Sequence, residues 1–209
     1  MHSGLDCGVA SRLAIQQIRR VLMAGAENTP TVEVAHAALQ QANEEILQVS
    51  RSNPQWGGMG ATLSFLWVDE AGGVIGQVGD SRIYRMREGW LDELSVDHLP
   101  VGRLRQSGKL SEADGRRHPS RHVIDQCLSG GDAEIAPDCE ATKILAGDVI
   151  LLCSDGLLDG VPDAELAGVM GAVGAGDMPL PKAVRELIER ANRLSGRDNV
   201  TVIVARFCE

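Results

Sequence analysis

Two short acidic stretches, Cys153-Ser154-Asp155-Gly156-Leu157 and Gly196-Arg197-Asp198-Asn199-Val200, carry the side chains best suited to chemistry. Each sets one carboxylate at the edge of an apolar run of β character. Val149 to Cys153 reads as a fully buried strand that stops at Asp155-Gly156, and Asp198-Asn199 opens the run Val200 to Val204. A carboxylate at the mouth of a buried strand is costly unless something neutralises it, and a hard divalent cation does so. Two such aspartates, far apart in the chain, suggest convergence on one oxygen-lined metal site. Taken singly, Asp155-Gly156 and Asp198-Asn199 read as ordinary turn residues. A third stretch shifts the balance. Gln77-Val78-Gly79-Asp80-Ser81-Arg82-Ile83-Tyr84 lies between the apolar run 73–76 and the alternating run 83–86. Asp80 is there either a turn residue stabilised by Arg82 or a holder of a further metal.

Other motifs follow the same order along the chain. Gly58-Met59-Gly60-Ala61-Thr62 leads into Leu63 to Val68, followed by Val78-Gly79-Asp80-Ser81-Arg82 and Asp97-His98. Then come His118-Pro119-Ser120-Arg121-His122-Val123-Ile124, Leu152-Cys153-Ser154-Asp155-Gly156-Leu157 and Arg197-Asp198-Asn199-Val200-Thr201-Val202. In order and approximate spacing, over residues 8 to 206, the sequence resembles the metal-dependent protein phosphatases of the PPM (type 2C) family.

The resemblance implies hydrolysis of phosphoserine or phosphothreonine in a phosphorylated protein substrate, by water activated at Mn²⁺ or Mg²⁺, two or three ions in the complete domain. It matches Asp155 and Asp198 to the family's metal ligands and Asp80 to an aspartate of a further, more weakly held ion. His2 matches the family's proposed proton donor, the other reading being a helix-entry residue. Residues 97–131 correspond to a mobile flap beside the metal centre. Arg116, Arg117 and Arg121 there become candidates for the substrate phosphate, which guanidinium groups bind through paired hydrogen bonds. The plain alternative is a solvated loop with ordinary positive charge. The family usually shows Arg-Asn after His-Pro-x and Thr-Arg after Val-Ile; this chain departs from that pattern with Arg121-His122 and Asp125-Gln126. The implied fold is α/β of the α+β type: an antiparallel β-sandwich flanked by helix pairs in four αββα layers, with N-terminal strands missing.

The family pattern also includes an N-terminal block with a phosphate-binding Arg, a Glu-Asp pair and a strand ending in Asp-Gly, whose Asp bridges both metals. This chain begins Met1-His2-Ser3-Gly4, past the place where that block belongs. Two expectations stay open. Either Met1 is internal to a longer reading frame, or the domain is truncated. The truncated domain would be a catalytically weak or inactive pseudophosphatase, a binding or regulatory module. Asp6 is the nearest replacement for the bridging carboxylate.

The elements that must position these residues follow from periodicity. Residues 9 to 24 form an amphipathic pattern, with Ala10, Leu13, Ala14, Ile18 and Val21 on one face. Thr31 caps a second helix running through Val49. Strands are expected at about 61–68, 73–79 and 82–87, as an antiparallel meander, with Glu88-Gly89 closing a further hairpin. Short helices are expected from Val101 to Gln106 and from Ser111. Residues 139–146 and 149–153 read as a hairpin about Gly147-Asp148. Helices 163–173 and 181–194 and a strand 199–207 complete the pattern.

Composition bounds the rest. At 209 residues a single domain spanning 1–209 is expected, with 44% hydrophobic and 23% charged residues in the ordinary globular range. A formal net charge of −9 argues against a nucleic-acid surface. The longest apolar runs are shorter than a membrane span, and Met1 to Asp6 lacks the features of a signal peptide. Five cysteines, without C-x-x-C spacing, fit neither a disulfide framework nor a zinc cage. Cytoplasmic residence, with no membrane or nucleic-acid partner, is the expectation.

Overall fold

In the computed structural model, residues 4–24, 29–70, 72–115, 117–129 and 134–208 are described. The chain runs α1 (Gly4–Leu22), α2 (Val32–Ser52), a 3₁₀ turn (Pro54–Trp56), β1 (Gly60–Ala61), β2 (Leu63–Val68) and β3 (Gly73–Val78). Then follow β4 (Arg82–Arg87), β5 (Trp90–Glu93), α3 (Pro100–Gln106), α4 (Glu112–Gly115), β6 (Leu128–Ser129) and β7 (Asp138–Thr142). The C-terminal part is β8 (Val149–Cys153), α5 (Asp155–Gly160), α6 (Asp163–Ala175), α7 (Leu180–Leu194) and β9 (Val202–Arg206). These elements fall into two compact units. Met1–Gly79 with Asp97–Lys143 form the first, and Asp80–Val96 with Ile144–Glu209 form the second.

In the first unit, α1 and α2 lay small and branched residues against one another. Ala10, Ala14 and Ile18 pack in one cluster with Ala38, Leu39, Ala42 and Ile46, together with Met59, Val78 and Leu128. The alanines let the two helix backbones approach closely, and Leu39 and Ile46 are each worth about 1.5–3 kcal/mol of apolar burial. Thr31 fixes the start of α2, its Oγ1 accepting the Val34 N–H at 3.3 Å, as expected of an N-cap. Beside the helices lies an antiparallel sheet ordered β2-β3-β7, with β3 central and buried along its length. A short β1–β6 pair joins Ala61 to Leu128.

In the second unit, four antiparallel strands are ordered β5-β4-β8-β9. One face presents Tyr84, Met86, Val149, Leu151 and Cys153 to Leu157, Leu166, Val169, Met170 and Leu187 of α5, α6 and α7. Alternation along β4 and β8 decides which residues meet the helices. Helix α7 is amphipathic, with Ala183, Leu187 and Ala191 buried. Two antiparallel sheets with helices packed on them place the fold in the α+β class, as expected.

Two expected strand pairings are overturned. β2 and β3 do pair, with Leu63 opposite Val78, but β4 joins the other sheet, so 61–87 is not a meander. Gly79 is the reason. Its φ of +115° turns the chain out of the ladder, and a Cβ there would overlap the Thr62 side chain. Its carbonyl accepts the His98 N–H at 2.8 Å and its N–H donates to His98 Nδ1 at 3.2 Å, so no strand partner is left for it. The expected hairpin of 139–146 with 149–153 also fails: β7 pairs with β3, and β8 lies between β4 and β9. The Gly147-Asp148 turn instead bonds to the end of β9, through Gly147 N–H to Phe207 O at 2.8 Å and Phe207 N–H to Asp148 O at 2.9 Å.

Candidate metal-binding end of the second sheet

Strand register brings the three candidate aspartates to one end of one sheet. Arg82, which opens β4, lies opposite Cys153, which closes β8, and Cys153 lies opposite Val202, which opens β9. Asp80 therefore sits just before β4, Asp155 just after β8 and Asp198 in the turn that feeds β9. Asp80 is buried, Asp155 is half-buried in the first turn of α5, and Asp198 is exposed. Asp198 Oδ1 accepts the Asn199 N–H at 2.7 Å.

The Asp155 and Asp198 turns are joined by direct hydrogen bonds. Ser154 N–H donates to Thr201 O at 3.1 Å, Ser154 Oγ accepts the Thr201 N–H at 3.0 Å, and the same hydroxyl donates to Asn199 O at 3.2 Å. Gly156 lies so close to the Asn199 carbonyl that a Cβ would overlap it. Sequence reasoning singled out the aspartates but not these partners; a hydroxyl residue between the strand end and its aspartate was the available signal.

The Asp80 strand is rooted by a buried polar group. Arg82 Nη1 donates to the Tyr84 hydroxyl at 2.9 Å, and its Nε lies 3.3 Å from Glu93 Oε1. Tyr84 in turn reaches Asp163 Oδ1 at 3.5 Å, and burial pushes its hydroxyl far above the ordinary phenol range, so it stays protonated.

The donor chemistry suits Mg²⁺ or Mn²⁺: carboxylate oxygens, without thiolate or imidazole. Among the described residues no group of three or more His, Cys, Asp or Glu side chains is gathered closely enough to cage an ion. Magnesium-type ions keep several waters and commonly take one or two carboxylates plus phosphate oxygens, so a full protein cage is not required of such a site.

In the first unit, His98 is a structural residue. With Nδ1 accepting from Gly79, its Nε2 carries the proton and meets Asp138 Oδ2 at 2.9 Å. Asp97, also buried, accepts from Arg105 Nη1 at 3.1 Å. Arg117 is exposed and Arg121 half-buried, and among the described residues neither guanidinium has an ion-pair partner. His2 and Arg116 lie outside the described residues. The glycine-rich stretch lines an apolar cavity of about 590 Å³ within this unit, shared with Gly8, Ser11, Ile124 and Cys127. Burial and the neighbouring Asp138 push the Cys139 thiol up to about 11, so it is no nucleophile at neutral pH.

Residues 3–194 match the family model described as protein phosphatase 2C. Over 166 residues the chain is 32% identical to the serine/threonine phosphatase stp of Listeria monocytogenes serotype 4b, covering 79% of this chain. That match spans 64% of the Listeria protein, just under two thirds of its length. In fold the chain is similar to the Mycobacterium tuberculosis serine/threonine phosphatase PstP/Ppp, with a TM-score of 0.86 at 30% identity over 100% of this chain and 86% of that one. It is similar as well to the catalytic domain of PstP in complex with two manganese ions, with a TM-score of 0.81 at 29% identity over 100% and 85%. The chain belongs to the protein phosphatase 2C family.

Proposed function

We propose that the chain hydrolyses phosphoserine and phosphothreonine in protein substrates, in a reaction that depends on Mn²⁺ or Mg²⁺. The observation that carries this reading is the register of β4, β8 and β9, which sets Asp80, Asp155 and Asp198 at one sheet end. The phosphatase names of its relatives and the two manganese ions of PstP support it. Asp155 and Asp198 would hold the ions, with Asp80 serving a further one. When bound, the ions supply a water acidic enough to attack phosphorus near neutral pH and positive charge against the phosphoryl oxygens, with no covalent enzyme intermediate.

The chain's own residues do the rest. Ser154 and Gly156 hold the Asp155 turn against the Asp198 turn, and the buried Arg82 anchors the strand that follows Asp80. Arg117 and Arg121 attract the substrate phosphate through paired guanidinium hydrogen bonds. His2 as proton donor to the leaving hydroxyl, and Arg116 as a further phosphate contact, belong to the same proposal.

The net charge of −9 argues against a nucleic acid as partner. Among the described residues no helix is long and apolar enough to cross a membrane. Residence in the cytoplasm is part of the same proposal.

The test is phosphate release from a phosphothreonine peptide with Mn²⁺, with Mg²⁺ and with EDTA. Metal-dependent release that EDTA abolishes is expected. Release indifferent to EDTA would overturn the metal reading. A folded chain that binds Mn²⁺ and the peptide yet releases no phosphate would instead be a binding module.

A further inference from the structure

Where β8 ends, the ladder to β9 does something unusual. Ser154 and Thr201 face each other one step beyond the Cys153–Val202 pair. In an antiparallel hydrogen-bonded pair, two such residues exchange N–H to C=O bonds in both directions. Here the Ser154 N–H does reach Thr201 O, at 3.1 Å. The return bond is different: the Thr201 N–H goes to Ser154 Oγ at 3.0 Å. The Ser154 carbonyl is engaged elsewhere, accepting the Leu157 N–H at 3.1 Å in the first turn of α5. That turn contains Asp155.

We propose that Ser154 is a positioning residue, whose side-chain oxygen stands in for its own backbone carbonyl in the ladder so that the carbonyl can start α5. One residue thereby satisfies the end of the sheet and the start of the helix at the same point. The consequence is a fixed offset between Asp155, held by the first helical turn, and Asp198, whose loop is tied by the Ser154 hydroxyl through Asn199 O at 3.2 Å. Alanine offers no second acceptor. The Thr201 N–H must then pull the carbonyl back and unwind the first turn of α5, or leave for water and release β9. Either movement shifts one carboxylate against the other. Threonine keeps the same oxygen on the same carbon, and cysteine offers only a weak acceptor.

This inference rests on the reading of Asp155 and Asp198 as metal ligands, and the experiment separates the two. Mn²⁺ is titrated calorimetrically into the whole chain as wild type, Ser154→Ala, Ser154→Thr and Ser154→Cys, with melting of each metal-free protein. Ser154→Ala is expected to weaken Mn²⁺ roughly tenfold, the size of one or two lost hydrogen bonds, with Ser154→Thr within about twofold of wild type. The metal-free melting midpoint should move little, because Asn199 and Thr201 are exposed and water replaces the lost contacts. Wild-type affinity in Ser154→Ala overturns the positioning role while leaving the metal reading intact. No Mn²⁺ binding by the wild type overturns both. If the alanine variant does not fold, cysteine is compared with threonine, and equal Mn²⁺ affinity of those two overturns the proposal.

Discussion

Arg87 grips Asp148 with two parallel hydrogen bonds, Nε to Oδ1 at 2.7 Å and Nη2 to Oδ2 at 2.6 Å. The carboxylate is almost wholly buried and also accepts the Leu145 N–H at 2.8 Å, so one side chain closes the turn that starts β8 and ties it to the end of β4. Burial works to raise the Asp148 pKa, but the Arg87 and Leu145 hydrogen bonds and the Arg87 charge outweigh it and hold the carboxyl below its ordinary value. A folded-state pKa below the unfolded one means stabilisation that is present above about pH 4 and fades as pH falls through the folded value. Asp148→Asn should therefore cost about 2–3 kcal/mol at pH 7, the range for charge-assisted hydrogen bonds at a largely buried site. The gap to wild type should narrow as the pH is lowered below about 4. Urea unfolding of both proteins across that range checks it, and a gap independent of pH would show that packing rather than charge is at stake.

The sheet-end site makes a more selective claim about three aspartates close in sequence or space. Asp155→Asn and Asp198→Asn each remove an anionic oxygen where ligand charge sets affinity. Asp159, exposed in the last part of α5, is not proposed as a ligand. Calorimetric Mn²⁺ titration should show a loss of at least about tenfold for the first two variants and wild-type behaviour for Asp159→Asn. Three equal and negligible effects, on proteins shown to be folded, would remove the site.

The helices were legible because their signals are local. Thr31 before α2 and the 3.6-residue apolar spacing along α1 and α7 need no knowledge of the rest of the chain. The same holds for Glu88-Gly89, which joins β4 to β5 as expected. Sheet membership was not legible. Nothing in residues 73–87 says that β3 and β4 part company, because the cause lies in Thr62 and His98, the distant residues that crowd and bond Gly79. The candidate metal end shows the same division. Asp80, Asp155 and Asp198 stood out by type and by their place at strand ends, whereas the role of Ser154 depends on Asn199 and Thr201 across the ladder. The short helix α5 was also missed, since six residues carry too little periodicity to register.

Arg117 and Arg121 separate substrate binding from stability. Both stand on the irregular stretch after α4, Arg117 exposed and Arg121 half-buried, among the described residues without an ion-pair partner, and surface charges of this kind contribute little to folding. Replacing both with Ala should raise KM for a phosphopeptide several-fold, lower kcat less, and leave the melting midpoint within a degree or two. Unchanged kinetics with a lowered midpoint would make them structural residues.

The closest test of the sheet-end geometry uses two glycines that differ only in what surrounds them. A Cβ on Gly156 would overlap the Asn199 carbonyl, and both partners are backbone, so neither can swing away as a side chain would. Gly156→Ala must push the α5 start and the loop feeding β9 apart. Overpacking of this kind costs about 1–3 kcal/mol. Gly168, in the middle of α6, has nothing within 4 Å of the position a Cβ would take. There the same substitution removes backbone entropy from the unfolded chain and should stabilise by about 0.5–1 kcal/mol. The two Gly→Ala changes are thus expected to move the melting midpoint in opposite directions. Only Gly156→Ala should also weaken Mn²⁺, because only it displaces Asp155 relative to Asp198. Measuring both midpoints and both Mn²⁺ affinities decides the matter. A Gly156→Ala protein that melts with wild type and binds Mn²⁺ as tightly would mean that the two loops can separate freely, and that their contact does not set the spacing of the carboxylates.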